Sequence, residues 1–228
     1  MIETGQEPVF VFHTESFQSK ARGCSSLELL RASGAEPLTV SDQVMATMAA
    51  TKTPQGILAV LPFPEPIPGE SPLILVLDRL RDPGNLGTIL RSAEAAGVGQ
   101  AITVKGTVDV YSPKVVRGAM GAHFRLSILH DQEWDDLERE LEGRQILIAE
   151  PGVQVAYYQV DWTQPTALIV GGEARGPGEE ARALATSSVT IPMRGGAESL
   201  NVAVATSIML FEAARQTGMR DRALRARG

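Results

Sequence analysis

The sequence predicts an α/β protein whose main part, from residue 73 onwards, is a mostly parallel sheet covered by helices. Short apolar segments alternate there with longer helix-like segments. This alternation is typical of parallel strands that are buried on both faces. The first segment is LILVL at 73–77, and the others lie at 101–104, 125–129, 145–150, 167–173 and 189–192.

The segments between these strands have the signals of helix starts and faces. A helix is predicted to follow the DRLRDPGNLG turn and to run to about residue 96. Ser112-Pro113 is a favoured way to begin the next helix. Residues 131–143 form an acidic helix pattern, and its apolar face carries Trp134, Leu137 and Leu141.

The first third of the chain predicts a smaller α/β region. Strands are expected at 9–12 and 56–60, and helices at 27–33 and 41–50. Five prolines then fall between residues 62 and 72. Proline at this density favours an extended spacer, so a domain boundary is predicted there. The predicted parts are residues 1–62, a linker at 63–72, and a main domain at 73–228.

The charge balance argues against a protein that binds nucleic acid or an anionic membrane over its whole surface. The 228 residues include 21 Lys and Arg against 27 Asp and Glu, a net charge of −6. The stretch from Arg79 to Arg125 differs, because it holds seven basic and three acidic residues. A local basic face that contacts phosphates is therefore predicted there. The tail at 220–228 is basic as well.

The sequence gives no sign of a membrane span, a signal peptide or a metal site. No apolar run has the length of a membrane span, and the first ten residues lack a basic and an apolar region. The single cysteine, Cys24, excludes an intramolecular disulfide and a cysteine cluster. The three histidines have no metal-ligand spacing. A cytoplasmic protein without metal is expected.

Ligands of parallel α/β sheets bind in the loops at the carboxyl ends of the strands. Three such loops here combine glycine with polar side chains, at 78–91, 171–178 and 193–201. The second, GGEARGPG, lacks the Lys-Ser/Thr of a P-loop, and no glycine fingerprint opens a helix as dinucleotide binding requires. Taken singly, Asn85 also fits a helix cap or turn residue, and Arg91 an ordinary surface arginine.

Together the three loops resemble the motifs of the SpoU (TrmH-like) family of RNA ribose 2′-O-methyltransferases, of the SPOUT class. The matching segments are DRLRDPGNLGTILR at 78–91, GGEARG at 171–176 and IPMRGGAESLNVAVA at 191–205. The resemblance covers about residues 70–217. It implies S-adenosylmethionine as the methyl donor, a deep trefoil knot near the C-terminus, and a homodimer with active sites near the interface.

The resemblance also implies the residues of the site. Gly171, Ile191 and Leu200 would hold the cofactor through backbone groups, and Met193 and Gly195 would line the same pocket. The catalytic and substrate-binding positions would be Asn85, Arg91, Glu173, Ser199 and Asn201.

The residue types suit methyl transfer to a ribose hydroxyl. A guanidinium is almost always protonated, so Arg91 is expected to stabilise the developing oxyanion or a phosphate, and to act as a base only if desolvated. The two asparagines would orient the ribose or Arg91. Glu173 would hold Arg91 or another polar group, and Ser199 would shape the third loop.

Residues 1–62 resemble the later part of an RNA-binding domain found in many family members, without its basic opening segment. Ribosomal RNA is the favoured substrate, and transfer RNA is the second. Two other functions stay open: a non-catalytic RNA-binding module of the same fold, and a methyltransferase that acts on RNA bases.

Overall fold

A computed structural model, which describes residues 6–67, 69, 71–173 and 176–218, divides the chain into two compact units. The units are residues 1–65 and 66–228. Their boundary lies inside the predicted linker, and residues 61–67 form neither helix nor strand. Proline explains this, because it cannot donate a backbone hydrogen bond to a helix or a sheet.

The first unit is a small α/β structure built on three strands. Strand β1 (Phe10–His13) pairs in parallel with β2 (Leu38–Thr39) and antiparallel with β3 (Ile57–Val60). Its core contains Val11 together with Leu27 and Leu30 of the second helix. The helices are α1 (Glu15–Gln18), α2 (Ala21–Ala32) and α3 (Asp42–Met48).

The second unit contains a six-stranded sheet in which every neighbouring pair is parallel. The strand order is β6-β5-β4-β8-β7-β9. The predicted parallel sheet is therefore confirmed. The strands are β4 (Leu73–Asp78), β5 (Gln100–Val104), β6 (Ser127–Gln132), β7 (Gln145–Ala149), β8 (Thr166–Gly171) and β9 (Ser187–Val189).

Helices cover both faces of this sheet. Successive side chains of β4 point to opposite faces of the sheet and so belong to two separate cores. Leu75 and Leu77 pack with residues of α4, α5 and α8. Ile74 and Val76 pack with residues of α6 and α7. The helices are α4 (Pro83–Ala95), α5 (Pro113–Ala119), α6 (Trp134–Glu140), α7 (Glu179–Leu184) and α8 (Val202–Gln216). None of the helices in the described part of the chain has the length and hydrophobicity to span a bilayer.

The prediction was wrong for residues 130–132. They were expected to belong partly to the acidic helix, but they extend β6, and α6 begins only at Trp134. The pairing of β5 with β6 shifts register between Ile102 and Val104, and Asp131 has a left-handed φ of 57°. This irregularity resembles a β-bulge, which adds one residue to a strand. The extra residue breaks the two-residue alternation from which strands are predicted.

The sheet reverses its direction of growth between β4 and β8. The chain moves outward from β4 to β5 and β6, and it later returns to place β8 on the other side of β4. Asp78 and Gly171, the last residues of these two strands, are register partners. Such a switch point leaves a crevice at the carboxyl ends of the strands, where ligands of α/β sheets bind.

Candidate active site

A cavity of about 1050 Å³ lies at the carboxyl ends of β7, β8 and β9. Its walls come from the loop after β7, the glycine turn after β8, the segment between β9 and α8, and the first turns of α8. The volume is slightly above the roughly 300–1,000 Å³ that is usual for small-molecule sites.

Four of the five predicted cofactor residues line this cavity: Gly171, Ile191, Met193 and Leu200. Gly195 is not among the lining residues. It is exposed, and a Cβ atom added to it would meet no other atom within 4 Å. The structure therefore gives no contact that would require glycine at this position.

Gly171 is the position where glycine is required. A Cβ atom there would overlap the backbone of Gly176 and Pro177. The loop after β8 thus turns back against the end of its own strand, and only a residue without a side chain permits the approach.

A buried carboxylate ties this loop to the end of β4. Asp78 is fully buried, and its Oδ2 accepts a hydrogen bond of 2.6 Å from the Gly178 backbone N–H. Its Oδ1 accepts one of 2.9 Å from Arg79 Nε. Arg79 itself has a left-handed φ of 56°. The contacts of Asp78 therefore hold the first and second motif loops together across the switch point.

Three predicted catalytic residues form one hydrogen-bonded chain. Asn85 Nδ2 donates to Glu173 Oε1 at 2.8 Å, and Asn201 Nδ2 donates to Asn85 Oδ1 at 3.0 Å. Asn201 Oδ1 accepts from the backbone N–H groups of Ala203 and Val204. A carboxylate that only accepts stands at one end, and backbone groups that only donate stand at the other. The orientation of both amides is therefore fixed.

The two asparagines occupy different helix positions. Asn201 is the N-cap of α8. Asn85 was predicted just before a helix, and this was wrong by one turn. It lies in the first turn of α4, and the cap is Asp82, whose Oδ1 accepts from the Asn85 N–H at 2.8 Å. The Asn85 side chain is thereby left for Glu173 and Asn201.

The environment of Glu173 keeps it ionised. Desolvation would raise the pKa of Glu173, but hydrogen bonds from the Asn85 amide and from the backbone N–H groups of Glu173, Arg81 and Asp82 outweigh this effect. The pKa of Glu173 therefore lies below its ordinary value of 4.5.

This shift predicts a pH-dependent effect of Asn85→Ala. A lowered carboxyl pKa stabilises the fold at pH values above its unfolded value, and this contribution is lost as the pH falls through the lowered pKa. The variant should have a lower free energy of unfolding than wild type at pH 7. The difference should shrink at pH 3, as measured by denaturant titration.

Asn201→Ala is the control, because it leaves the contact between Asn85 and Glu173 in place. Its destabilisation should change little between the two pH values. An Asn85→Ala effect of equal size at pH 7 and pH 3 would contradict the assigned role of Glu173.

The other two predicted catalytic residues are placed differently. Ser199 lines the cavity. Arg91 is exposed on α4 and is not among the lining residues. Its neighbour Ser92 has its Oγ 2.8 Å from Ser207 Oγ, so Arg91 lies on the part of α4 that adjoins α8.

Sequence reasoning missed the loop after β7 as a wall of the cavity. Residues 149–154 line it, and Glu150 forms an ion pair with Arg182. The rule on strand ends could have found this loop, because Glu150 is the last residue of a predicted strand, at 145–150.

Within the predicted basic stretch, four of the seven cations have an acidic partner. These are Arg79, Lys105, Lys114 and Arg125. Among the residues that the structure describes, Arg81, Arg91 and Arg117 are exposed and have no ion pair within 4 Å. The basic tail at 220–228 lies outside the described residues. No group of three or more acidic, histidine or cysteine residues in the described part is arranged to hold a metal ion.

A parallel sheet with a large cavity and polar loops at the carboxyl ends of its strands defines an α/β protein of the cofactor-binding class. The model of the SpoU rRNA Methylase family matches residues 72–211, and the chain belongs to this family.

Known relatives agree with this assignment. The chain is 34% identical to mouse "rRNA methyltransferase 3, mitochondrial", in a match that covers 72% of this chain and 53% of that protein. The chain thus spans about half the length of this mitochondrial relative. It is 33% identical to the Bacillus subtilis "23S rRNA (guanosine(2553)-2'-O)-methyltransferase RlmP", over 78% of this chain and 72% of that one.

A solved structure has the same fold. The SpoU methyltransferase AviRb from Streptomyces viridochromogenes, in complex with the cofactor AdoMet, superposes with a TM-score of 0.79 at 29% identity. The match covers 94% of this chain and 85% of that one.

Proposed function

We propose that this chain transfers a methyl group from S-adenosylmethionine to a ribose 2′-hydroxyl of ribosomal RNA, with transfer RNA as the second possible substrate. The observation that carries the proposal is the hydrogen-bonded chain of Glu173, Asn85 and Asn201 beside the cavity. It joins one residue from each of the three family motifs. The relatives that act on ribosomal RNA by name support the substrate class.

The cavity suits the cofactor. It has the volume for a nucleoside carrying an amino-acid chain, and it combines apolar walls from Ile191, Leu200 and Met209 with polar and charged groups. When bound, S-adenosylmethionine supplies an activated methyl group, so the protein has mainly to align the acceptor hydroxyl with it.

The residues of the chain divide this work. Glu173 fixes Asn85, and the cap of α8 fixes Asn201, so both amides are held in place before substrate arrives. Fixed amides can orient a ribose without reorganising during the reaction. The positive charge of Arg91 stabilises negative charge on the reacting oxygen or on a neighbouring phosphate.

The exposed arginines without acidic partners, Arg81, Arg91 and Arg117, are proposed to contact RNA phosphates. The part at residues 1–62 is proposed to add RNA contacts of its own, and 63–72 to act as its linker to the main domain at 73–228. The deep trefoil knot stays a prediction from the family resemblance, and the cytoplasmic location stays a prediction from the sequence.

The protein is proposed to act as a homodimer, through the exposed side of α8. Val204 is 48% and Phe211 46% exposed there, on a helix whose opposite side is core. They share that side with Ile208, so the three side chains form an apolar stripe. Arg91 lies on the helix that adjoins α8, which fits a site completed by a second copy.

Phe211→Glu tests the dimer. A carboxylate in the centre of an apolar interface would be desolvated without a partner, so the variant should have half the mass of wild type by light scattering. Leu29→Glu is the control, since Leu29 is an exposed apolar residue of the first unit, at 58%. A wild-type mass for Phe211→Glu would contradict the proposed interface.

Calorimetric titration with S-adenosylmethionine tests the cofactor assignment. Wild type should bind with one site per chain, and Leu200→Arg should not, because an arginine there would project a charge from the cavity wall. Matching thermal unfolding curves would show that the variant is folded. Wild-type affinity in Leu200→Arg would contradict the assignment of the cavity.

A further inference from the structure

Glu150 is a carboxylate on the cavity wall that belongs to none of the three motifs. It directly follows β7, which lies next to β8 in the sheet. Its backbone N–H donates to the Val189 carbonyl at 3.0 Å, so its main chain is fixed against β9.

The side chain of Glu150 is mostly withdrawn from water and is held from two sides. It is 15% exposed, and its Oε1 forms an ion pair with Arg182. The Ser188 hydroxyl lies 3.1 Å from its Oε2. A carboxylate in such a place is costly unless its oxygens have partners.

These contacts leave acceptor capacity on both oxygens. An ionised carboxylate offers about four lone-pair positions, two on each oxygen. Arg182 and Ser188 each occupy one, so one position remains on each oxygen. Two acceptors on one carboxylate match the two neighbouring hydroxyls of a ribose.

The other acidic residues on the cavity wall are less suited to this task. The Glu173 carboxylate already accepts from the Asn85 amide at 2.8 Å and from backbone N–H groups of Glu173, Arg81 and Asp82. Glu198 is exposed. Glu150 alone among these three combines a mostly buried carboxylate with oxygens that are open to further donors.

The position of Glu150 in the sheet agrees with nucleoside binding. In dinucleotide-binding sheets, a glycine turn ends one parallel strand and an acidic residue further along hydrogen-bonds the ribose. Here the Gly171–Gly172 turn ends β8, and Glu150 follows the neighbouring strand β7. The comparison is one of physical arrangement, since the glycine fingerprint itself is absent.

We infer that Glu150 accepts hydrogen bonds from the ribose hydroxyls of the cofactor, with Arg182 and Ser188 holding its carboxylate in position. The inference rests on the proposed cofactor, and it assigns the ribose end of the cavity to the loop after β7. The reacting end then lies toward Glu173 and Asn201, on the side of β8 and α8.

The test compares the affinities of two ligands for two proteins, and it does not depend on catalysis. S-adenosylhomocysteine and its 2′,3′-dideoxy analogue are titrated into wild type and into Glu150→Gln. Wild type should lose about 10- to 100-fold in affinity when the hydroxyls are removed, as expected for hydrogen bonds to a charged group. Glu150→Gln should bind S-adenosylhomocysteine correspondingly more weakly, and it should lose at most a few-fold on going to the analogue.

The dideoxy analogue also reports on the integrity of the cavity. Equal affinity of wild type and Glu150→Gln for it would show that the variant keeps the cavity intact. Glu198→Gln is the matched control, because it changes an exposed carboxylate of the same wall, and it should discriminate between the ligands as wild type does.

Two outcomes would overturn this inference and leave the cofactor proposal standing. One is a Glu150→Gln variant that keeps the full discrimination between the two ligands. The other is a variant that loses both ligands equally, because Glu150 would then only support the wall. If wild type bound neither ligand, the cofactor proposal would fail, and this inference with it.

Discussion

An Arg91→Ala variant is expected to transfer methyl groups about 100- to 1,000-fold more slowly than wild type, the usual loss when one donor to a developing oxyanion is removed. Arg91 is exposed and, among the residues that the structure describes, has no ion pair to lose. Its removal should therefore leave the unfolding temperature unchanged. Because Arg91 is not among the lining residues of the cavity, affinity for S-adenosylmethionine should also persist.

Single-turnover kinetics with saturating RNA measures this effect. Arg117→Ala is the matched control, since it removes another exposed arginine without an ion pair in the described part of the chain. The control should weaken RNA binding and leave the saturated rate near that of wild type. An Arg91→Ala protein with the wild-type rate would remove Arg91 from the mechanism.

Gly171→Ala is expected to abolish cofactor binding. The added methyl group would overlap the backbone of Gly176 and Pro177, which no side-chain rotation can relieve. The loop after β8 would have to move away from the strand end, and it forms one wall of the cavity. Calorimetry should detect no binding of S-adenosylmethionine, and the unfolding temperature should fall by several degrees, as for other strained core positions.

Gly195→Ala is the control for this substitution. It adds the same methyl group to the third motif, at a place where the structure has open space. It should keep wild-type cofactor affinity. Loss of binding in Gly195→Ala would show that Gly195 has the pocket role implied by the family resemblance, which the lining of the cavity does not support.

The strands of the main sheet could be predicted because they are buried on both faces. A continuous apolar run such as LILVL at 73–77 has the length of a buried strand and is too short for a typical helix. The strand order could not be predicted, since β8 lies next to β4 at a sequence separation of about 90 residues. Local periodicity carries no information about such a pairing.

The family motifs predicted part of the candidate site: four of the five expected cofactor residues line the cavity, whereas Gly195 does not. The motifs led to Asn85, Glu173 and Asn201, and the structure joins these three residues. The motifs did not reveal that Asp82 caps α4 and so leaves the Asn85 side chain to Glu173. They also gave no sign of Glu150, whose partners Arg182 and Ser188 are distant in sequence and are brought close only by the fold.

The most direct test of the central claim is to identify the methylated product. The protein would be incubated with ribosomal RNA and S-adenosylmethionine carrying an isotope-labelled methyl group, and the RNA digested to nucleosides for mass spectrometry. The proposed function predicts label in a 2′-O-methyl nucleoside, whose adjoining linkage resists alkali. Label in a methylated base would contradict ribose methylation, and no transfer to ribosomal or transfer RNA by protein that binds the cofactor would contradict the proposed activity.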